Sequence, residues 1–439
     1  MSHVFPRHTK SELPVIASGD GVYLIDELGK RYIDGSCGAA TSCLGHSNAK
    51  VIQAIKSQLD SVAYAHTGFF TSQSAEELAD KLIAHAPKGI KKAYLVSGGS
   101  EAVEAALKLA RQYFIEKGEG SRRHIIARKQ SYHGNTLGAL AAGGNQWRRR
   151  QFEPLLVETS LISPCYAWRY QRDHESEEDY GLRVANELED EILRLGPEQV
   201  MAFLAEPVVG ATAGALCPVP GYLARIREIC DQYGVLLIFD EVMCGMGRTG
   251  ALFAGDVDGV TPDIVAIAKG LGAGYQPIGA MLCQDYIHDA IEHGSGFFQH
   301  GHTYLGHPIA AAAANAVLDR LVVDGLVDDV AQKGEYLKLQ LKEKLGQHPH
   351  IGNIRGRGLF IGIEFVASQD DKTPFDPALN VAGNLKKNAF QSGLVCYPAQ
   401  GTIDGRTGDH VLLAPPFIIN NDEMDMLVDR LALAVDMTI

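Results

Sequence analysis

One lysine stands alone in an apolar, glycine-rich stretch, "AIAKGLGAGYQPIGA" (266–280), and its amine could do covalent chemistry. Lys269 is the only formally charged residue between Asp263 and Asp285. At the end of a buried strand an ammonium ion loses hydration, so its pKa falls and the free amine becomes a better nucleophile. Schiff-base formation with an aldehyde needs such an amine. The alternative is an ordinary lysine on a surface loop.

An acid follows a second apolar run. Asp240 comes directly after "VLLIF" (235–239), and a buried carboxylate needs a cation or several hydrogen-bond donors nearby. Such a carboxylate could keep the ring nitrogen of a pyridine cofactor protonated and so make the ring an electron sink. Asp240 could instead cap a helix or pair with an arginine.

Two further motifs could hold a phosphorylated aromatic ring. The stretch "SGGSEAVEAALKLARQY" (97–113) places a Ser/Gly turn, with Gly99 and Ser100, before an amphipathic helix. The first N–H groups and the dipole of such a helix attract phosphate. The "SYHG" motif (131–134) offers the flat ring of Tyr132, although a tyrosine in the core would give the same pattern.

These motifs follow short apolar runs that alternate with helix-like stretches between about residues 90 and 290, a pattern that predicts a mostly parallel sheet with helices on both faces. Ligands bind at the carboxyl ends of such strands. We therefore expect the residues that follow each run to share one site. The runs are "KAYLV" (92–96), "HIIA" (124–127), "VMAFLA" (200–205), "VLLIF" (235–239) and "IVAIA" (264–268).

The two ends of the chain predict a smaller α+β unit. Residues 20–33 predict a hairpin that turns at Leu28-Gly29. The C-terminal part predicts a charged helix, strands at "LFIGIEFV", "LVCYP" and "HVLLAPPFII", and a last helix opened by Asn420 with Glu423 three residues later, as in a capping box. We predict a large domain over residues 58–325 and a small domain built from 1–57 and 326–439.

The composition of the chain argues against several classes of function. The 439 residues carry a formal net charge of −13, whereas nucleic-acid binding needs a basic face, and "WRRR" (147–150) is too short to provide one. We expect no membrane association, because no apolar stretch is long enough to cross a bilayer. The eight cysteines form no C-x-x-C pair, which is typical of a cytoplasmic protein. No metal site is expected, because the histidines of "QHGHTYLGH" (299–307) lack a zinc-ligand set.

Taken in order, the motifs resemble those of the class III pyridoxal-phosphate aminotransferases of fold type I, over nearly the whole chain. The resemblance implies an α/β fold with a mostly parallel central sheet, pyridoxal 5'-phosphate as cofactor and a homodimer as the smallest complete unit, with a tetramer left open. It is carried by "LGKRYIDG", "GHSNAKVIQAI", "SGGSEAVEAALKLAR", "SYHG", "AEPVVG", "IFDEVMCGMGRTG", "PDIVAIAKGLGAGYQPIGA", "GHTYLGHP" and "APPF".

The same resemblance implies roles for individual residues. Lys269 would bind the cofactor covalently and move a proton between substrate and cofactor, and Asp240 would pair with the ring nitrogen. Tyr132 and Val242 would pack on the two ring faces. Glu206, in the Glu-Pro motif, would be a structural acid. The other implied cofactor-binding residues are Gly99 and Ser100 at the phosphate, His133, and Thr303, which would reach the phosphate of the neighbouring subunit.

Departures from the family's pattern bear on the substrate. Branches that use 2-oxoglutarate have an acid and an arginine where this chain has Ala211 and Leu412. Arg406, in the glycine-rich stretch "GTIDGRTGDHVLLAPPF" (401–417), resembles the mobile arginine with which pyruvate-using ω-aminotransferases bind a carboxylate. Ala39 and Ala40 lie where several of these enzymes have bulky side chains, which predicts a roomier substrate pocket.

We therefore expect an aminotransferase that moves an amino group from a primary amine or ω-amino acid to an oxo acid, with pyruvate as the expected acceptor. Three alternatives stay open: use of 2-oxoglutarate, a lyase or mutase of the same fold, and a binding protein without activity. The sequence does not identify the amino donor.

Overall fold

The computed structural model describes residues 3–439, so the first two residues of the predicted N-terminal segment lie outside the described part. Its strands are β1 (Ile16–Asp20), β2 (Tyr23–Asp26), β3 (Arg31–Asp34), β4 (Ile90–Val96), β5 (His124–Arg128), β6 (Ser160–Ile162), β7 (Val200–Ala205), β8 (Leu236–Asp240), β9 (Ile264–Ile267), β10 (Gly279–Gln284), β11 (Ile351–Arg357), β12 (Phe360–Phe365), β13 (Leu394–Val395), β14 (Tyr397–Gln400) and β15 (Asp409–Leu413). Its α-helices are α1 (Cys37–Ala40), α2 (Ala49–Ser61), α3 (Gln73–His85), α4 (Gly99–Glu116), α5 (Leu137–Ala142), α6 (Gln146–Arg149), α7 (Ala167–Tyr170), α8 (Glu177–Leu195), α9 (Tyr222–Tyr233), α10 (Asp285–His293), α11 (Pro308–Leu318), α12 (Val330–Leu345), α13 (Val381–Gln391) and α14 (Asn421–Asp436).

The central sheet has seven strands in the order β4-β10-β9-β8-β7-β5-β6. Strands β5 to β9 run parallel to one another, and β10 is antiparallel to both β4 and β9. Every residue of β7, β8 and β9 is buried, as expected for strands that are covered on both faces. The predicted mostly parallel sheet is confirmed.

Helix α4 shows how the sequence positions the residues that follow strand β4. Small residues at helical spacing, Ala102, Ala106 and Ala110, form part of its buried face, and this face packs against β9 and β10. The short side chains allow the helix to lie close to the sheet. Its first residue, Gly99, therefore lies directly beyond the carboxyl end of β4.

The two ends of the chain meet in a four-stranded sheet of order β1-β2-β3-β13. The predicted N-terminal hairpin is confirmed by the antiparallel pair β2 and β3, and β13 pairs with β3 in parallel. A third sheet has the order β11-β12-β15-β14. The capping box at the start of α14 is also confirmed. Within residues 3–439 no helix is both long and apolar enough to span a membrane.

The predicted extent of two C-terminal strands was wrong. The "LVCYP" stretch is two strands, β13 and β14, which belong to different sheets. The "HVLLAPPFII" stretch is a strand only as far as Leu413. Pro415 and Pro416 follow, and a proline has no N–H group to donate to a neighbouring strand.

Candidate active site

A cavity of about 460 Å³ lies at the carboxyl ends of the central strands. The expectation that the strand ends share one site is confirmed, because residues that follow five different strands line this cavity. They are Ser97, Gly98, Gly99 and Ser100 after β4; Tyr132, His133 and Gly134 after β5; Glu206 after β7; Asp240 and Val242 at the end of β8; and Lys269 after β9.

Lys269 lies on the wall of this cavity and not on a surface loop. It begins a tight turn two residues after β9 ends, with a left-handed φ of 45°, and such strained backbone is concentrated at functional sites. Burial lowers the pKa of the Lys269 amine, while the carboxylates of Asp240 and Glu206 act in the opposite direction. A lowered pKa leaves more of the amine unprotonated, and therefore nucleophilic, at neutral pH.

Asp240 is the last residue of β8 and is 3% exposed. Its Oδ2 lies 2.8 Å from Nδ1 of His133, and its Oδ1 accepts a hydrogen bond from the N–H of Val242 at 3.0 Å. The partner of the carboxylate is therefore a histidine and not an arginine. Each carboxylate oxygen has a further lone pair, so Asp240 can also accept a bond from a protonated ring nitrogen in the cavity.

Glu206 holds the segment that carries Tyr132. Its Oε1 accepts from the N–H of Tyr132 at 3.0 Å, and its Oε2 accepts from the N–H of Gly210 at 2.8 Å. Burial raises the pKa of Glu206, and the neighbouring Asp240 raises it further, whereas His133 and the two N–H donors lower it. The carboxyl group thus fixes the Tyr132 segment beside Asp240.

The start of α4 is shaped for close approach by a ligand. A Cβ atom on Gly99 would lie only 2.6 Å from Cγ1 of Val242, so a larger residue there would displace Val242 from the cavity wall. The hydroxyl of Ser100 accepts the N–H of Asn135 at 2.9 Å and can still donate its own proton. The N–H groups that begin an 18-residue helix attract a phosphate.

These groups fit pyridoxal phosphate. The ligand's aldehyde needs an amine, its ring nitrogen needs a buried acid, its ring needs apolar or aromatic faces, and its phosphate needs backbone donors. Lys269, Asp240, Tyr132 with Val242, and the start of α4 supply these in one cavity.

Three residues predicted at the site do not line this cavity. Arg406 lies exposed in the loop of residues 401–408, hereafter the Arg406 loop. Ala40 is buried in an apolar cluster with Met243, and Thr41 contributes to the cavity wall instead. Thr303 is exposed and borders a separate cavity of about 720 Å³.

The sequence reasoning missed several residues at the site. Thr41, Met243 and Gln276 line the cavity. Met243 and Gln276 lie within motifs that were recognised, and Thr41 follows the predicted residue Ala40, so these neighbours were the available signal. Arg148, which was seen only as part of a charged run, has its guanidinium carbon 4.4 Å from the ring centroid of Tyr132. No sequence signal connects these two residues, because the contact depends on how two loops fold together.

Comparison with known proteins identifies the family. The family model "Aminotransferase class-III" matches residues 4–435. The chain is 47% identical to an uncharacterised aminotransferase of Schizosaccharomyces pombe over 431 residues, which cover 97% of this chain and 93% of that protein. A thermostable (S)-enantioselective ω-transaminase from Thermomicrobium roseum has 34% identity and a TM-score of 0.93, with 99% of this chain and 96% of that chain covered.

A second solved structure, the ω-transaminase from Pseudomonas jessenii in complex with PMP, has 32% identity and a TM-score of 0.92, with 99% of this chain and 96% of that chain covered. Class III aminotransferases depend on pyridoxal phosphate. The match extends over almost the entire chain and includes both the central sheet and the two ends. This chain therefore belongs to the class III aminotransferases and has their α/β fold of type I.

Proposed function

We propose that the protein transfers an amino group from a primary amine or an ω-amino acid to pyruvate. The donor would leave as an aldehyde or ketone, and pyruvate would leave as alanine. The observation that carries this proposal is the presence of the Lys269 amine and the buried Asp240 carboxylate in the wall of one cavity.

The cavity residues would hold pyridoxal phosphate, which supplies an aldehyde that reacts with amines and a ring that accepts electrons from the adjacent carbon. The first N–H groups of α4 and the Ser100 hydroxyl would bind the phosphate. Asp240, oriented by His133, would keep the ring nitrogen protonated. Tyr132 and Val242 would pack against the ring.

Lys269 would move the proton in both halves of the reaction. Because burial lowers the pKa of its amine, the unprotonated amine can take a proton from the substrate carbon at neutral pH. The same group, now protonated, can return the proton to a neighbouring atom. Asp240 and Glu206 raise the amine's pKa and so stabilise this protonated state.

The choice of pyruvate rests on the substrate side of the cavity. The resemblance places the acid–arginine pair of the 2-oxoglutarate enzymes at Ala211 and Leu412, and both residues lie in one buried apolar cluster with Met243 and Phe360. A second substrate carboxylate would lose its hydration against this cluster without gaining a charged partner. A small oxo acid with one carboxylate avoids this cost.

We also propose that the protein acts as a homodimer in the cytoplasm. Near Thr303 an aromatic patch is left open on the single chain, with Phe69 82% exposed and Phe70 and Phe297 each 68% exposed. Patches of this kind mark protein interfaces, and a partner seated here would bring Thr303 towards the partner's phosphate site. Light scattering should give twice the mass of one chain. All eight cysteines are free thiols, which supports the cytoplasmic location.

A donor panel run with two acceptors tests the reaction. Purified holoenzyme would be given amines, ω-amino acids and amino sulfonates, each with pyruvate or with 2-oxoglutarate, and alanine, glutamate and carbon dioxide would be measured. We expect alanine from pyruvate with at least one donor. Faster formation of glutamate would overturn the choice of acceptor, and release of carbon dioxide without amino transfer would indicate a lyase.

A further inference from the structure

Three consecutive arginines near the cavity lie in three different environments. Arg149 is buried, and its guanidinium donates to backbone carbonyl groups that hold α6 against α5. Arg150 is exposed. Arg148 is half-buried, with its guanidinium over the ring of Tyr132. The carbonyl groups bound by Arg149 belong to Leu140, Ala141 and Gly143.

Arg148 has no acidic partner in the part of the chain that the structure describes. No carboxylate there lies within ion-pair distance of its guanidinium, whereas other half-buried arginines such as Arg183 and Arg225 are paired. A guanidinium that has lost part of its hydration favours an anion beside it. The contact with Tyr132 fixes the plane of the group but leaves its N–H donors available.

The charge of Arg148 acts on the reacting centre. Tyr132, on which the guanidinium lies, lines the same cavity as Lys269. The positive charge of Arg148 also reaches the Lys269 amine, where it adds to the effect of burial and lowers the amine's pKa. Arg148 does not itself line this cavity, but an anion held at its guanidinium would lie beside the ring of Tyr132, which does.

Arg148 is also joined to the Arg406 loop. Asn145 accepts the N–H of Arg148 at 3.3 Å and donates to Oε1 of Gln130 at 3.1 Å. Gln130 in turn donates to the carbonyl of Gly401 at 2.5 Å. The backbone at Gly405 lies so close to α6 that a Cβ there would be 3.0 Å from the nitrogen of Trp147. Arg148 therefore occupies a fixed place next to the loop that carries Arg406.

We propose that Arg148 binds the carboxylate of the oxo acid substrate and determines the enzyme's preference for it. This inference rests on the proposed function. Arg148 is the fixed half of the carboxylate site, held in plane by Tyr132, and Arg406 is the exposed half. A guanidinium held in this way can form two parallel hydrogen bonds with a carboxylate, whereas an amine that carries no carboxylate gains nothing from it.

The test compares Arg148→Gln, Arg148→Lys and the matched control Arg150→Gln as holoenzymes. Three quantities would be measured: the KM for pyruvate, the affinity for propanoate as an unreactive carboxylate by calorimetry, and the single-turnover rate with butylamine. For Arg148→Gln we expect the KM to rise and propanoate binding to weaken, each on the order of 10- to 100-fold, while the butylamine rate changes far less and only through the loss of the Arg148 charge near Lys269. Arg148→Lys should be intermediate, and Arg150→Gln should behave as the native enzyme.

Two results would overturn the inference. Unchanged propanoate binding in both Arg148 variants would show that the guanidinium does not contact the carboxylate. An equal loss with butylamine and pyruvate would show that Arg148 only positions Tyr132. Failure of the native enzyme to convert any amine would instead refute the proposed function, and the propanoate measurement would still report on Arg148 by itself.

Discussion

The two sides of the cavity are built differently. On the cofactor side, the acids are buried and already paired within the chain: Asp240 with His133, and Glu206 with the N–H groups of Tyr132 and Gly210. On the proposed substrate side, outside the residues that line the cavity, Arg406 is exposed in a loop that contains several glycines, and Arg148 has no acidic partner among the described residues. The proposed cofactor side is thus built from groups that are paired within the chain, whereas the proposed substrate side presents arginines that have no acidic partner among the described residues.

This difference follows from what each side would have to do. Proton transfer and electron withdrawal are the same for every substrate, so groups fixed at the ends of buried strands suit them. In the proposed reaction, acceptor and donor would occupy the same place in turn, and the acceptor would carry a carboxylate where the donor can be apolar. A cation that has a carboxylate partner only when the oxo acid is bound can distinguish the acceptor from the donor.

The largest expected effect tests the cofactor side. Replacing Lys269 by Ala removes the group that would move the proton, so turnover should fall by roughly 10³- to 10⁴-fold. The formation of alanine from pyruvate and an amine would be measured, together with circular dichroism to check folding. Lys344→Ala is the control, because Lys344 forms a surface ion pair with Asp429. Turnover of Lys269→Ala within 10-fold of the native value would contradict the assigned role.

Two neighbouring acids, Asp240 and Glu241, allow a chemical role to be distinguished from a structural one. Asp240→Asn should lower turnover by about 10²-fold or more, because the amide cannot stabilise a protonated ring nitrogen. Glu241 is equally buried, but its carboxylate accepts the N–H groups of Ala254 and Gly255. Glu241→Gln should therefore keep the native rate for the folded enzyme. Similar losses of rate in the two variants would contradict the proposed role of Asp240 at the ring nitrogen of the cofactor.

A smaller effect is expected on the substrate side. Arg406→Gln should raise the KM for pyruvate by roughly 10-fold and leave the KM for a plain amine nearly unchanged, since only pyruvate carries a carboxylate. Steady-state kinetics with each substrate varied in turn would measure this. Equal changes in both constants would indicate that the Arg406 loop supports the fold and does not select the substrate.

The smallest effect concerns stability and pH. Burial raises the pKa of Glu241 to about 8, so the folded protein binds a proton more tightly than the unfolded chain does. The resulting stabilisation is full below the ordinary pKa of a glutamic acid and is lost as pH rises through about 8. The Tm of the native protein should fall relative to that of Glu241→Gln between pH 5 and pH 8, as measured by calorimetry. A constant difference would mean that Glu241 does not titrate in this range.

The two sides also differ in how far the sequence predicted them. Asp240 and Lys269 each follow an apolar run of the sequence directly, and the order of parallel strands brings their carboxyl ends together, so local pattern and sheet topology were sufficient. Ala40 and Thr41 show the limit of this reasoning, because the backbone at Gly38 and Ala39 departs from helical angles and one residue rather than its neighbour reaches the cavity wall.

Contacts between loops could not be predicted from the sequence. The position of Arg148 over Tyr132 depends on the carbonyl groups that hold Arg149 and on the hydrogen bonds of Asn145, none of which forms a recognisable pattern. The split between β13 and β14 had the same cause: the strands are separated by Cys396 alone, and each pairs with a strand from a different sheet. Both the position of Arg148 and the split between β13 and β14 depend on contacts between separate segments, which the pattern of a short stretch of sequence does not reveal.

The pairing of β3 with β13 has a consequence for biosynthesis. The edge of β3 that faces β13 receives its partner, Leu394–Val395, only after most of the chain has been made. Contacts between segments so distant in sequence form slowly, because the intervening chain must first be brought together. Until then the N-terminal hairpin exposes an unpaired strand edge, which is the kind of surface that aggregates. The first sheet of this enzyme can therefore close only after a strand from the C-terminal part of the chain has been made.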